Sequence, residues 1–373
     1  MPQKPTIVDL FSGCGGFGLG AELAGFSCIA AIDIDPTLQS AYQTNFPRTK
    51  AFQADVGTLG KSFWQHTLGK HRPNGVIGGP PCQGFSRIGK RDKKDPRNNL
   101  VQSFFDHIAM LDPDFFIMEN VEGILDTNTI DVLTSAMEPV STRFRILDPM
   151  IITASDYGAP TKRQRVIIVG YNPSRMNALS ISDFTPLKKM KTVTVQDAIF
   201  DLPSPIMKSG QRNEHVFSSY RHPYNASSNY AQLARSLPRV GLGAETAVKN
   251  LRNGLVSGLE VTQHTQAVVD RFADVKQGTT EAISRYPRLS WQGLCPTLRA
   301  GTGRDKGSYQ AMRPIHPSEN RVITVREAAR LQGFPDWFQF HPTKWHSFRM
   351  IGNSVSPIVS KHLLGKIKNK LDN

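Results

Sequence analysis

One cysteine in this chain lies where its thiol could do chemistry. Cys82 ends the run Gly78-Gly79-Pro80-Pro81-Cys82, which follows the short apolar stretch 74–77. Proline fixes φ and biases the residue before it away from the helix, so this run predicts a stiff extended segment at the end of a buried strand. The polar stretch 87–99 that follows carries six basic residues against two acidic ones. This setting suggests a nucleophile with a lid that faces a polyanion, although an inert buried cysteine stays an open alternative.

Charged residues in two later stretches could act with this cysteine. Glu119 and Asn120 directly follow the predicted buried strand 114–118, and a carboxylate at that edge could donate a proton. Arg163 and Arg165 precede the predicted strand 166–169, and in an extended segment they would point to one face. Paired guanidinium groups suit a phosphate or a base carbonyl. The structural alternative for Glu119 is a surface or capping acid. The alternative for the two arginines is a solvated charge run.

The beginning of the chain has the pattern of a nucleotide pocket. A predicted strand over 6–10 leads into the glycine-rich run 11–20 and then into a helical stretch over 21–24. Glycine lets the backbone approach a ligand closely. The next predicted strand, 28–32, ends in Asp33, where an acid could accept hydrogen bonds from both ribose hydroxyls. A third unit, 51–56, offers Asp55 to an adenine amino group, but enzymes that bind dinucleotides share such a glycine turn.

The elements that must position these residues predict an α/β fold with two domains. The chain has 373 residues, and single cores stop growing near about 250–300 residues. Residues 1–185 form the predicted catalytic and cofactor-binding domain, a mixed, mostly parallel sheet flanked by helices such as 100–111. Residues 186–344 form a smaller, loop-rich domain, and a turn at 351–357 with a helix to about residue 370 lets residues 345–373 rejoin the first. Thr324 and Glu327 are placed to cap a helix over 325–331, which Gly333 ends.

Charge and cysteine usage narrow the class of partner. The net charge is +14, and residues 186–330 hold 21 Lys+Arg and 11 Asp+Glu, so this span alone carries +10. Such an excess favours a polyanionic partner. No apolar run approaches the roughly 20 residues of a membrane span, and no signal peptide is evident. The four cysteines show no paired metal-ligand spacing, so we expect no metal and a reducing, cytoplasmic setting.

Together these motifs resemble those of the DNA (cytosine-5)-methyltransferases of the compact bacterial restriction–modification kind. They occur in the order of that family and span residues 9 to 357, with only about 172–320 uncovered apart from Thr297-Leu298. Six motifs in this order are specific to the family, although each motif alone is a weak or moderate signal. The matched segments are 9–16, Pro80-Pro81-Cys82-Gln83, Glu119-Asn120-Val121, Arg163-Gln164-Arg165, 326–333 and Gly352-Asn353-Ser354-Val355.

The resemblance implies a role for each catalytic candidate. Cys82 would attack carbon 6 of a cytosine and so make carbon 5 nucleophilic. Glu119 would donate a proton or hydrogen bond to ring nitrogen 3, and Asn120 would hold the backbone of its loop. Arg165, with Arg163, would bind the cytosine carbonyl or a nearby phosphate. The target carbon cannot be reached inside a stacked duplex, so the base must be flipped out.

The same resemblance implies S-adenosylmethionine as the methyl donor, no metal, and double-stranded DNA as the substrate of a monomer. Residues 186–344 would then be the target-recognition domain. The implied DNA contacts are Ser86 and Arg97 in the loop 84–99 and Thr297 in this domain, where Arg299 and Arg304 could also meet a DNA groove or phosphates. The implied cofactor contacts are Phe11, Gly13, Cys14, Gly15, Gly16, Asp33, Ile34, Asp55, Val56, Gly79, Pro81, Leu100, Asn353, Ser354 and Val355.

Three other functions stay open on the sequence. An NAD-dependent oxidoreductase would share the glycine turn and Asp33, but it leaves the basic loop and the charged span 186–330 unexplained. The tRNA-modifying branch of the same family carries a Cys-Phe-Thr signature and a short recognition region, and this chain has neither. A DNA-binding regulator with a vestigial methylase fold would not need Cys82, Glu119 and Arg165 together.

Overall fold

The computed structural model describes residues 4–81, 99–127, 129–186, 191–207, 215–300 and 313–371. The predicted site residues Cys82, Ser86, Arg97 and Arg304 therefore lie outside the described residues. No helix in the described ranges combines the length and the apolar composition needed to cross a bilayer.

Eight strands of the described residues form one sheet in the order β3-β2-β1-β4-β5-β8-β6, with β7 also paired to β8. Strands β1 to β5 run parallel, and β8 pairs antiparallel with β5, β6 and β7. The predicted mixed, mostly parallel α/β fold is confirmed. The strands are β1 Thr6–Leu10, β2 Ser27–Asp33, β3 Lys50–Gln53, β4 Gly75–Gly78, β5 Phe115–Asn120, β6 Arg145–Ile146, β7 Met150–Thr153 and β8 Gln164–Tyr171.

Helices cover this sheet, and further short helices follow it along the chain. Every residue of β1, β4 and β5 is buried, because helices on both faces exclude water from a parallel sheet. The helices are α1 Gly16–Ala24, α2 Pro36–Asn45, α3 Lys61–Leu68, α4 Asn99–Leu111, α5 Ile130–Met137, α6 Ile181–Phe184, α7 Val195–Ile199, α8 Asn229–Ala234, α9 Glu245–Arg252, α10 Gln266–Ala273, α11 Val325–Gln332, α12 Lys344–Asn353 and α13 Pro357–Lys368.

The glycine-rich run is more helical than the sequence predicts. Helix α1 begins at Gly16, not near residue 21, so half of the run is helix. The reason is close packing against α13: a β-carbon at Gly20 would lie 2.2 Å from that of Ser360. The Ser360 hydroxyl donates to the Phe17 carbonyl at 2.7 Å. The end of the chain therefore lies directly on the first helix.

Two other predicted boundaries also shift. The predicted turn at 351–357 is wrong in its first part, because α12 continues to Asn353. Gly352 lies in its last turn, where a β-carbon would be 2.5 Å from the Ala300 nitrogen, so close packing and not chain reversal requires glycine. Within the third predicted unit, 51–56, strand β3 ends at Gln53, so Asp55 lies beyond it in a short turn.

The described residues between 172 and 320 do not extend the large sheet, whose described strands all lie between residues 6 and 171. In the described part of this segment, β9 Phe217–Ser219 and β10 Leu255–Ser257 pair antiparallel among short helices. The predicted capping box at Thr324 and Glu327 is confirmed, and Gly333 ends α11 in the left-handed conformation.

Helix α11 places two buried arginines at the centre of the smaller region, the described residues of 186–344. Arg330 is fully buried, and its Nε lies 2.6 Å from Asp336 while its Nη1 lies 3.1 Å from Asp201. Arg326 donates to the Ser257 and Phe338 carbonyls at 2.9 and 3.0 Å. The arginine spacing in 326–333 thus joins four separate segments, because a buried guanidinium needs several acceptors.

We predict that Arg330→Ala destabilises the protein by about 3–5 kcal/mol, because two buried carboxylates lose their nearest cation. Chemical denaturation and the melting temperature measure the loss. Arg252→Ala, at an exposed position in the last turn of α9, is the control and should change stability little. A loss below about 1 kcal/mol for Arg330→Ala would contradict this account of α11.

Candidate active site

The register of the sheet lines up site residues from four neighbouring strands. The last in-register residues of β2, β1, β4 and β5 are Ile32, Leu10, Gly78 and Met118. Each is followed by a predicted site residue: Asp33, Phe11, Gly79 and Glu119 in turn. Neighbouring strands lie about 4.8 Å apart, so this row runs about 14 Å along the carboxyl edge of the sheet.

Asp33 is tied to the glycine turn at one end of the row. Its Oδ2 accepts the Gly13 backbone N–H at 2.8 Å, and its Oδ1 accepts the Asp35 N–H at 2.9 Å. Burial raises the pKa of Asp33, and these two hydrogen bonds oppose the rise. Phe11 and Gly13 both have positive φ, 54° and 57°, so the chain turns sharply after β1. The turn leaves the Asp33 carboxylate oriented at the sheet edge.

A second acid lies beyond β3. The Asp55 carboxylate accepts the Gly57 N–H at 2.9 Å and caps a short 3₁₀ turn that begins at the buried Val56. A β-carbon at Gly57 would lie 3.3 Å from a methyl carbon of Leu100, the second residue of α4. The structure therefore brings Leu100 next to the Asp55 turn. Ile34 stands out beside Asp33 with 64% of its surface exposed.

The segment after α12 closes against the glycine turn. The Ser354 hydroxyl lies 3.2 Å from the Cys14 sulfur. A β-carbon at Gly16 would be 2.5 Å from the Val355 carbonyl oxygen and 2.8 Å from the Ser354 β-carbon. Burial raises the pKa of Cys14 to about 12, so its role here is packing. Asn353, in the last helical turn, is exposed.

Glu119 and Arg165 form an ion pair at the other end of the row. The Arg165 Nε lies 2.8 Å from the Glu119 Oε1, with side chains 20% and 10% exposed. A β-carbon at Gly79 would lie 3.2 Å from the other Glu119 oxygen, so the chain that leaves β4 passes directly over this carboxylate. The Asn120 amide donates to the Pro80 carbonyl at 3.3 Å. Asn120 therefore holds the segment that leads from β4 to Cys82.

Arg163 has different partners from Arg165. Both line one shallow depression with Glu119, but Arg163 is only 4% exposed and its Nη1 donates to the Gly352 carbonyl at 3.0 Å. It also lies 3.5 Å from the Leu298 carbonyl. The two guanidinium groups are thus not aimed as a pair, because backbone carbonyls of two other segments already occupy Arg163.

The segment around Thr297 docks beside the residues that precede β8. The Cys295 N–H donates to the Pro160 carbonyl, and the Lys162 N–H donates to the Cys295 carbonyl, both at 2.9 Å. Thr297 is half-buried, whereas Arg299 is exposed. Arg299 is therefore available to a partner on the side where Arg163 joins this segment to α12.

Sequence reasoning missed a contact between Asp35, the N-cap of α2, and Arg349 in α12. Asp35 accepts from the Thr37 and Leu38 N–H groups and caps α2, and its other oxygen lies 2.5 Å from the Arg349 Nη2. An acid directly before Pro36 is a recognisable helix start. Nothing in the sequence could show that Arg349, more than 300 residues later, would meet it. In the described residues no group of three or more His, Cys, Asp or Glu side chains could hold a metal ion.

Comparison with known proteins identifies the family of this chain. Residues 5–369 match the family model of the C-5 cytosine-specific DNA methylases. The chain is 38% identical to the type II methyltransferase M.XorII of Xanthomonas oryzae pv. oryzae over 99% of this chain and 85% of that protein. It is 31% identical to the type II methyltransferase M.DdeI of Desulfomicrobium norvegicum, over 99% and 89% of the two chains.

Solved structures show the same fold. A crystal structure of a candidate DNA modification methyltransferase encoded within a prophage (E. coli) matches with a TM-score of 0.88 and 40% identity, covering 98% of this chain and 99% of the other. The S. pombe Dnmt2 methyltransferase matches with a TM-score of 0.62 at 16% identity over 97% and 98% of the chains, which shows the fold alone.

The fold is that of a methyltransferase. The chain belongs to the C-5 cytosine-specific DNA methylase family, and it is a DNA (cytosine-5-)-methyltransferase of the restriction–modification type. Enzymes of this family act on DNA and use S-adenosylmethionine.

We predict that Gly16→Ala lowers stability by about 1–3 kcal/mol, because its methyl group would overlap the Val355 carbonyl and push the 354–355 segment off the glycine turn. Thermal unfolding measures the loss, and cofactor affinity should fall with it. Gly365→Ala is the matched control, since that glycine lies in α13 and a β-carbon there meets nothing within 4 Å. Equal effects of the two substitutions would contradict the prediction.

We also predict selective alkylation of the native protein by iodoacetamide at pH 8. Burial raises the pKa values of Cys14, Cys28 and Cys295, so almost none of these thiols is ionised there. Label should reach Cys82 first and the other three only after unfolding, as read by peptide mass spectrometry. Early label on any of the three buried thiols would show that their surroundings open in solution.

Proposed function

We propose that this chain transfers a methyl group from S-adenosylmethionine to carbon 5 of cytosine in one specific double-stranded DNA sequence. It would serve as the modification enzyme of a restriction–modification system. The observation that carries the proposal is the row at the sheet edge, where Asp33 and Phe11 lie at one end and Glu119, paired with Arg165, lies at the other. One edge thus offers a nucleoside site and an acid site about three strand spacings apart.

The residues at the first end of the row fit the cofactor. Asp33 is already aligned by the Gly13 N–H, and a β-carbon at Gly13 would meet nothing within 4 Å, so there is room beside the turn. Asp33 would take the ribose hydroxyls, Phe11 would stack on the adenine, and Asp55 beside Leu100 would accept its amino group. When bound, S-adenosylmethionine supplies a methyl group made electrophilic by its sulfonium. Ile34, Val56, Gly79, Pro81 and residues 353–355 would complete the site.

At the other end, the chain's own residues would activate the cytosine. The Cys82 thiolate adds to carbon 6, and the electron pair of the 5,6 double bond is then available at carbon 5. Glu119 donates a proton or hydrogen bond to ring nitrogen 3. Arg165 holds Glu119 through the ion pair and also binds the cytosine carbonyl. After methylation, a base takes the proton from carbon 5, the double bond re-forms, and Cys82 leaves as the thiolate.

Attack on carbon 6 and methylation of carbon 5 require the target base to leave the duplex, at a cost of a few kcal/mol. We infer that residues 84–99, with Ser86 and Arg97, contact the DNA. The exposed Arg299 next to the docked segment 295–298 supports a recognition surface that also includes Thr297 and Arg304. We propose that residues 186–344 form this target-recognition domain, that residues 1–185 with 345–373 form the catalytic domain, and that a monomer carries both.

The decisive experiment is transfer of labelled methyl from S-adenosylmethionine to duplex DNA and to tRNA. We expect label on duplex DNA, and bisulfite sequencing should then show methylation at one sequence. Cys82→Ser should lower turnover by several orders of magnitude without changing cofactor affinity, because only the nucleophile is lost.

Other results would reject the proposal. Methylation confined to tRNA would assign the chain to the tRNA-modifying branch, and DNA binding without transfer would assign it to a regulator. Tight NADH binding in a calorimeter, with no binding of S-adenosylmethionine, would favour the oxidoreductase.

A further inference from the structure

Arg349 is a charged residue to which the proposed reaction gives no role, yet contacts join it to the cofactor turn. Its Nη2 lies 2.5 Å from the Asp35 Oδ2. The Asp35 backbone N–H donates to the Asp33 Oδ1, and the Asp33 Oδ2 accepts the Gly13 N–H. Arg349 on α12 is thus joined to the glycine turn through two successive acids.

Two sets of contacts hold the Asp35 carboxylate and so fix its backbone N–H, which orients Asp33. One carboxylate oxygen accepts from the Thr37 and Leu38 N–H groups, at 2.9 and 3.2 Å, and caps α2. The other oxygen meets Arg349. Because both oxygens are held, the backbone of Asp35 cannot rotate without breaking either the cap or the ion pair.

The charge of Arg349 also favours the ionised forms of Asp33 and Asp35. Two carboxylates two residues apart repel each other, and a nearby guanidinium offsets this repulsion. Burial opposes charge on Asp35, but Arg349 and the α2 N–H groups hold its pKa below the usual value. Burial raises the pKa of Asp33, and the charge of Arg349 counters part of the rise. An ionised carboxylate only accepts hydrogen bonds, as two ribose hydroxyls require.

Helix α12 is a firm support for this contact, because it meets the cofactor region at a second point. The residue after its last turn, Ser354, contacts Cys14, and the Trp345 ring lies 5.7 Å from the Arg349 guanidinium. The ion pair itself is partly exposed, with side chains 28% and 17% accessible, so water screens it and its effect should be moderate.

From these contacts we infer that Arg349 is a positioning residue for the ribose of the cofactor. It acts through Asp35 to hold the Asp33 carboxylate towards the ribose hydroxyls. This inference rests on the proposed S-adenosylmethionine site and adds to it a residue from the far end of the chain. Arg349 does not touch the reacting atoms.

Calorimetric titration with two probes tests the inference. The first is S-adenosylhomocysteine, and the second is its analogue without the two ribose hydroxyls. We expect Arg349→Gln to weaken the first roughly tenfold, the scale of one charge-assisted hydrogen bond, and to leave the analogue within about twofold. Arg349→Lys keeps the charge and should retain most of the affinity. A merely structural role would weaken both probes equally, and that result would overturn the inference.

Asp35→Asn provides the second arm, because asparagine still caps a helix but cannot form the ion pair. It should reproduce the selective loss, and the double variant should bind no worse than either single one. Additive losses would overturn the relay through Asp35.

The matched control is Arg143→Gln, which breaks a comparable surface pair with Asp112 and should not change affinity. Unchanged affinity in Arg349→Gln would also overturn the inference. If the wild-type protein bound neither probe, the proposed cofactor itself would fail. That outcome differs from an equal loss for the two probes and from unchanged affinity in the variant.

Discussion

The register of five parallel strands is the constraint on which the site depends. Parallel pairing places the carboxyl ends of neighbouring strands along one edge, and the residue after each in-register end must then join that edge. Asp33, Phe11, Gly79 and Glu119 come from four strands and more than 80 residues of sequence, yet they lie in one row. A shift of one residue in any of these pairings would turn the side chains concerned to the other face of the sheet.

The second requirement is that the end of the chain reaches its beginning. Gly16 and Gly20 let α13 and the 354–355 segment approach α1 more closely than any β-carbon would allow. Gly352 does the same towards the backbone of residues 299 and 300. Arg163 fastens this junction, because one of its nitrogens serves carbonyls of both segments. The glycine turn, the segment 298–300 and the start of β8 thus meet through small residues and one buried cation.

Buried ion pairs add to the apolar packing that holds the smaller region. Arg330 lies between Asp201 and Asp336, and Arg321 pairs with Glu327 at 2.8 Å. Such pairs require accurate geometry, since an unpaired buried charge is costly. A segment with few regular strands can therefore keep a definite shape and leave residues such as Arg299 exposed. The basic excess of this region is thus divided between structural arginines inside it and a surface open to a partner.

The sequence by itself determined the fold class and the family, because apolar runs, glycine turns and the ordered motifs are local patterns, and it predicted the main strands β1, β2, β4, β5 and β8. It also predicted the capping box at Thr324, which the structure confirms, and it made Asp33 and Glu119 candidate site residues from their places beside predicted strands. Only the tertiary structure decided that α1 begins at Gly16, that Arg163 serves backbone carbonyls, and that Arg349 meets Asp35. These contacts join residues far apart in the chain, and no local pattern encodes a partner that only packing brings near.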